Sequence, residues 1–392
     1  MTIALTNPDL PAAAPAELAR GFPGFGSIMR TSWTDPKASY VAHRTGPNLH
    51  HYHSDFNSFV YHAKGVPLCI DFGNCYAPLQ RRESWYHSQV TLGKADAASG
   101  ELKELRTLPR TADYSCGESW GGDYRVHRHL LLVKSDDPLG ANYLVVRDHT
   151  ESSKADAEFS WNLWCLSKEP QVQGSIIHFP GQLGVDLDVH VVSPAELRVE
   201  KDQWKWEQHI YVWGPFTEEQ YGVHVAKKGA AQDYFAVLNP RAEGQGAAKV
   251  EVLDPAGAVL KIEHMEGTDY VCFSPREGGA WNAGDSSISG KVALAREYKD
   301  GTLRLATISG QGCAALRGWK LASDGPVALE IRGKNIEGES SGDAHTMTIT
   351  LPAGCGDCAA SLDGKAVTVK RDGQTLAIPL PAGYHKLTIK PK

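Results

Sequence analysis

No apolar run in this sequence approaches the length needed to span a bilayer, which removes membrane-crossing helices from consideration. Helical periodicity is equally scarce. Only Ala13 to Arg20 reads as a short helix, and no long stretch keeps a 3.6-residue period. Excess charge of one sign is small: 40 Lys and Arg stand against 46 Asp and Glu, a net charge of −6 with a pI near 6.2. A broadly basic nucleic-acid surface is therefore not expected. The eight cysteines, Cys69, Cys75, Cys116, Cys165, Cys272, Cys313, Cys355 and Cys358, are scattered. Cys355 and Cys358 form a lone C-x-x-C without a second pair or a βαβ context, which leaves a local disulfide or two free thiols as its readings. Met1 to Arg20 lacks the charged start and continuous apolar core of a secretory signal. There is no internal repeat and no long low-complexity linker.

Turn formers are abundant. The chain carries 39 Gly and 22 Pro, and clusters such as Glu277-Gly278-Gly279, Asp300-Gly301 and Asp372-Gly373 separate short runs rich in Val, Ile, Leu, Thr and aromatics. That is an all-β signature. Strands are expected at Tyr143 to Arg147, Phe159 to Cys165, Val185 to Val192, Gln208 to Val212, Tyr234 to Leu238, Lys249 to Leu253, Tyr270 to Phe273, Val292 to Glu297 and Leu303 to Ile308. Their number exceeds what one small sandwich needs, so the expectation is a large antiparallel stacked-sheet sandwich. From about Leu321 the strands shorten and small polar turns separate them: Val327 to Ile331, Thr346 to Leu351, Ala366 to Lys370, Thr375 to Ile378 and Tyr384 to Ile389. This divides the chain into an extension (1–20), a β-sheet body (21–320) and a small C-terminal β-sandwich (321–392).

The chemistry concentrates in His50-His51-Tyr52-His53-Ser54-Asp55-Phe56-Asn57-Ser58-Phe59, then Val66-Pro67-Leu68-Cys69-Ile70-Asp71-Phe72-Gly73, then Trp85-Tyr86-His87-Ser88. His53, Asp71 and His87 offer two imidazole nitrogens and a carboxylate, a set that suits zinc and leaves a fourth position open. In an extended segment His51 and His53 project to the same face, so a metal on His53 would fix the strand that presents His51. The bland alternative is a solvated, histidine-rich strand end. Register discriminates between them. Asn57 to His62 and Val66 to Asp71 read as a hairpin around Ala63-Lys64-Gly65. A three-residue loop places Asp71 opposite Asn57, on the His53 face, whereas a two-residue Lys64-Gly65 turn places it opposite Ser58 and points it away. A metal site requires the longer loop or a bulge.

These segments, with Phe22-Pro23-Gly24-Phe25-Gly26-Ser27-Ile28-Met29-Arg30-Thr31-Ser32-Trp33 before them and His87-Ser88-Gln89-Val90 at their end, resemble the β-sheet half of heparinase II/III-like polysaccharide lyases. His127-Arg128-His129-Leu130-Leu131-Leu132-Val133-Lys134 and Tyr143-Leu144-Val145-Val146-Arg147-Asp148 resemble the next strand pair more loosely. The resemblance implies that His51 works at the substrate and that His53, Asp71 and His87 hold zinc, with Asp55 and Asn57 matching the motif. One departure is Ser88, where the family has Asn. Another is that only about twenty residues precede the first motif, whereas full-length relatives begin with a helical α/α toroid that supplies a catalytic Tyr. A helical toroid partner or an oligomer is then expected to complete the site, and the family setting is periplasmic or extracellular.

The implied activity is β-elimination of a uronic-acid-containing polysaccharide, with His51 as base or carboxylate-neutralising group and an anionic polysaccharide or oligosaccharide as substrate; neither nucleic acid nor membrane is expected as a partner. Tyr52, Tyr61, Tyr76 and Tyr86 are the nearby phenols available as the acid. Arg30, Arg44, Lys64, Arg81, Arg82, Arg125 and Arg128 surround the motif, and charge-assisted hydrogen bonds from a subset would hold uronate or sulfate. Arg81 and Arg82 lead that group, with Asn57 beside them as substrate-binding residues. Trp33, Trp85, Trp120, Trp161, Trp164, Trp204, Trp206 and Trp213 offer stacking faces or core packing. The alternative function is a noncatalytic carbohydrate-binding or accessory β protein with a structural metal site. A metal hydrolase of unrelated type is the third reading.

Overall fold

The computed structural model describes residues 15–47, 53–71, 83–208 and 216–391. Among these residues every regular element is a strand except the single 3-10 turn Ser84–Tyr86. The expected short helix is absent from residues 15–20: Ala19–Phe22 is a strand that pairs with Gly26–Arg30, and Ala13 and Ala14 lie outside the described residues. Of the expected strand Gln208 to Val212, everything after Gln208 lies outside them as well.

Among the described residues five sheets carry the strands. The first is a five-stranded meander, Ala19–Phe22, Gly26–Arg30, Tyr40–Arg44, Ser58–Ala63 and Val66–Cys69. A four-stranded sheet joins Val199–Gln208, Phe216–Lys228, Glu158–Cys165 and Val90–Leu92. An eight-stranded sheet runs from Gln171–Gln173 at one edge to Ser99–Leu108 at the other, with Tyr143–Ser152 and Tyr124–Val133 near its middle. Ten- and seven-stranded sheets take the strands from Lys249–Val252 onward.

Hydrophobic burial stacks these sheets in layers. One cluster fills the space between the five- and four-stranded sheets on one side and the eight-stranded sheet on the other. A second lies between the eight- and ten-stranded sheets, and a third between the ten- and seven-stranded sheets. A strand buried on both faces needs consecutive rather than alternating apolar residues. Tyr124–Val133 satisfies this: Leu130 and Leu132 enter the first cluster, while Leu131 and Val133 enter the second.

The expected boundary at Leu321 does not coincide with any change of sheet. Trp319–Ser323 sits inside the seven-stranded sheet, paired with Gly312–Leu316 on one side and His345–Thr350 on the other. Val327–Arg332 pairs with Leu303–Ser309 and with Asn335–Ser340. Strands before and after Leu321 therefore share two sheets and one core. The expected strand Ala366 to Lys370 is split, with Lys365–Val367 in the ten-stranded sheet and Lys370–Asp372 in the seven-stranded one. The shorter strands after Leu321 are distributed over the ten- and seven-stranded sheets.

Candidate metal centre

The hairpin that ends near Asp71 turns through Lys64 and Gly65, both at positive φ (53° and 86°), so the loop has two residues and Ala63 faces Val66. Gly65 accepts this geometry without strain and suits such a turn. Uninterrupted, that register would aim Asp71 away. A bulge intervenes: His62 pairs with Pro67 but Tyr61 pairs with Cys69, leaving one extra residue on the second strand. Leu68 and Cys69 are consequently both buried, and the face of every later residue is exchanged. The two-residue turn and the bulge together return Asp71 to the His53 side.

Asp71 Oδ1 lies 2.6 Å from His87 Nδ1 and Asp71 Oδ2 lies 3.8 Å from His53 Nδ1. The two imidazole rings stand 5.1 Å apart, tilted by 44°. Burial opposes ionisation of Asp71, yet the His87 and His53 imidazoles beside it hold its carboxyl well below the ordinary range. Among the described residues this trio is the one group of His, Cys, Asp or Glu with three ligand atoms mutually within 4.8 Å. Ligand atoms about 2.1 Å from a tetrahedral zinc are roughly 3.4 Å from one another. The observed separations bracket that value, and the N,N,O donor set is one zinc accepts, so the residues fit the ion.

Three segments must be registered to hold the trio. His87 follows the Ser84–Tyr86 turn and its N–H donates to the Ser84 carbonyl. The buried Gln89 amide donates to the carbonyls of Ser54 and Ser84, at 2.8 and 2.9 Å, and the Ser84 hydroxyl donates to Ser54 as well. Beneath them lies Arg128, fully buried and bidentate to the fully buried Asp148 at 2.7 and 2.9 Å. Its remaining nitrogen, Nη1, donates to the carbonyls of Asn57 and Ser88. One guanidinium thus ties the segment following His53 to the residue following His87. Gln220 adds a bond from its amide to the Asp71 carbonyl, 3.4 Å.

His51, Arg81 and Arg82 lie outside the described residues. Asn57 is placed away from solvent, 1% exposed. Its Oδ1 pairs with His43 Nε2 at 2.8 Å, and its amide nitrogen donates to Val126 and Gly117 carbonyls. With φ at 63°, a conformation Asn tolerates better than most residues, it supports the turn into Ser58–Ala63. Asp55 pairs with Arg44, Oδ2 to Nε 3.4 Å. Lys64 spends its ammonium on the Leu139 and Gly140 carbonyls, and burial lowers its pKa to about 8. Tyr61 is fully buried; Tyr52 and Tyr76 lie outside the described residues, which leaves Tyr86 as the half-buried phenol beside His87. Trp85, Trp161, Trp164 and Trp204 pack inside, whereas Trp33 is 38% exposed.

The structural role of Arg128 is not expected from the sequence, where it counts among the cations around the motif that could hold an anionic substrate. The signal was nevertheless present. Arg128 shares its face of the strand with Val126, Leu130 and Leu132, and Asp148 shares its face with Leu144 and Val146. A charge in a core-facing register must be paired.

No protein-family model and no curated protein matches the chain. Solved structures do. Heparan sulfate lyase HepC from Pedobacter heparinus superposes with a TM-score of 0.53 at 15% identity, over 64% of this chain and 42% of that one. A mutant of the same lyase gives 0.54 at 15% identity, over 66% and 43%. A heparinase III gene product with methylated lysines gives 0.52 at 16% identity, over 73% and 41%. The chain spans about two-fifths of the length of these proteins. At such identity the likeness speaks for the fold alone, a heparinase-like β-sheet architecture.

Proposed function

We propose that this chain serves the β-elimination of a uronic-acid-containing polysaccharide, with a zinc ion held by His53, Asp71 and His87. The observation that carries the proposal is the convergence of the trio, from three separate segments, in a fold shared with lyases of heparan-type polysaccharides. Elimination requires neutralisation of the uronate carboxylate, removal of the adjacent C5 proton and protonation of the departing glycosidic oxygen. We assign the substrate-facing role to His51, as base or carboxylate-neutralising partner, because it precedes the ligand His53 by two residues. Zinc on the trio would supply fixed positive charge beside the reaction centre and would anchor the His53 segment. Arg81 and Arg82 are proposed to pair with the anionic groups of the substrate, and a helical toroid partner or a second copy of the chain to supply the acid.

Elimination leaves an unsaturated uronate with a new ultraviolet band, which hydrolysis and simple binding do not produce. The test follows that band on alginate-type and heparan-type substrates with wild-type protein and His51→Ala. The expected result is band formation by wild type, its loss in His51→Ala and retention of metal by that variant. Unchanged turnover in His51→Ala would overturn the assignment, and binding without product on every uronate would assign the chain an accessory, carbohydrate-binding role instead.

A further inference from the structure

The outer face of the five-stranded sheet carries a cation stacked on aromatic rings. Arg30 closes the strand Gly26–Arg30 and stands in register with Tyr40 and, one strand further, His62. Its guanidinium carbon is 4.3 Å from the centre of the Trp33 ring and 4.7 Å from that of Tyr40, and the Tyr40 ring packs on His62 at 4.6 Å. Among the described residues no carboxylate pairs with Arg30, and its buried Nε has no acceptor. Trp33 is held by its indole N–H, which donates to the Glu17 carbonyl at 2.7 Å, yet 38% of the residue is exposed. Beside it opens a depression of about 510 Å³ walled by Leu18, Phe22 and Ile28 together with the Glu17–Arg20 ion pair. The core-facing residues of the same strands, Met29, Val41 and Tyr61, point the other way and are fully buried.

Contact with two rings restricts the guanidinium. A fixed planar fork suits carboxylate and sulfate oxygens, and an exposed indole offers an apolar face to a sugar ring. His62 adds no competing charge near neutrality, since burial and the Arg30 cation keep its imidazole below the ordinary pKa. The site is separate from the trio: His62 lies toward the turn end of Ser58–Ala63, whereas His53 precedes the other end. We propose that this face is a second saccharide site, which binds the carboxylate or sulfate of an anionic sugar on Arg30 and stacks its ring on Trp33. The choice of a sugar ligand rests on the lyase reading.

The test is calorimetric titration of wild type, Arg30→Met and Trp33→Ala with three probes: a sulfated heparin-type oligosaccharide, an unsulfated polyuronate oligosaccharide and a neutral cello-oligosaccharide. Loss of a charge-assisted pair corresponds to roughly a tenfold or greater fall in affinity. That fall is expected in Arg30→Met for the anionic probes, a smaller one in Trp33→Ala, and no binding of the neutral probe. Response to the sulfated probe alone would identify sulfate as the recognised group, and response to both anions would identify either oxyanion. Arg30→Lys, which keeps charge but loses the fork, should fall between wild type and Arg30→Met and serves if the latter misfolds. Equal affinity in wild type and Arg30→Met would overturn the proposal, as would a change of self-association in Arg30→Met with saccharide affinity intact. Failure of the lyase reading is distinct: no unsaturated product forms, while Arg30 still governs binding of the anionic probes.

Discussion

Replacing Arg128 by Met should separate stability from metal affinity. The change leaves Asp148 fully buried, with only the Trp161 indole N–H among the described residues still donating to it, 3.1 Å away, and removes the donor that serves the Asn57 and Ser88 carbonyls. Breaking one side of a buried ion pair costs about 3–5 kcal/mol, and the orphaned carbonyls do not add fully to that figure because they share the same guanidinium. A matched control exists in the other half of the molecule. Arg296 is equally buried, bidentate to Asp269 at 2.6 and 2.8 Å, and also donates to two backbone carbonyls, those of Lys134 and Ala141. Urea unfolding of apo protein should therefore report losses of about 3–5 kcal/mol for both Arg128→Met and Arg296→Met. Zinc affinity, measured by chelator competition below each variant's unfolding transition, should fall about 10- to 100-fold in Arg128→Met alone, the range typical when a group that orients metal ligands is removed. The same fall in both variants, or in neither, would refute the idea that Arg128 registers the ligand segments.

Three further outcomes follow from the same geometry. Burial lowers the His43 pKa to about 3, reinforced by the Arg128 charge and opposed by the Asn57 hydrogen bond; the unfolded chain then binds a proton below pH 6.5 that the folded chain refuses, so stability falls with acidification. Between pH 7 and pH 5, urea unfolding of His43→Asn should lose about 2 kcal/mol less than wild type, and identical pH slopes would contradict the burial argument. Asn57→Ala should lower stability by about 2–4 kcal/mol, since a non-glycine residue at positive φ and three internal hydrogen bonds are affected together, with saccharide affinity unchanged by titration. Arg128→Met combined with Asp148→Leu should regain part of the loss of Arg128→Met in urea, because no buried unpaired carboxylate remains.

Much of the fold was readable because strand-forming runs and glycine turns leave little choice of class. Sheet membership was less so: the change of texture at Leu321 is real, but pairing partners such as Thr307 and Val327 are set by distance across a turn-rich segment and not by composition. In the site, residue types and spacing pointed to the trio, and the requirement for a longer loop or a bulge was deducible from side-chain parity. The choice between them was not, since Leu68 and Cys69 are both apolar and either register buries one of them. Asn57 shows the opposite failure. Its motif position suggested a substrate contact, but the backbone conformation and the partner His43, fourteen residues away in sequence, could not be read from a linear pattern.

The most direct test of the account is metal stoichiometry. Wild-type protein, loaded with zinc and dialysed, should retain one equivalent per chain by elemental analysis and should melt at higher temperature than its chelated form, because a ligand bound by the folded state alone stabilises it. The His53→Ala, Asp71→Ala double variant should retain none and show no zinc-dependent shift. Stoichiometric zinc in that double variant would contradict the assignment of His53, Asp71 and His87 as the metal centre.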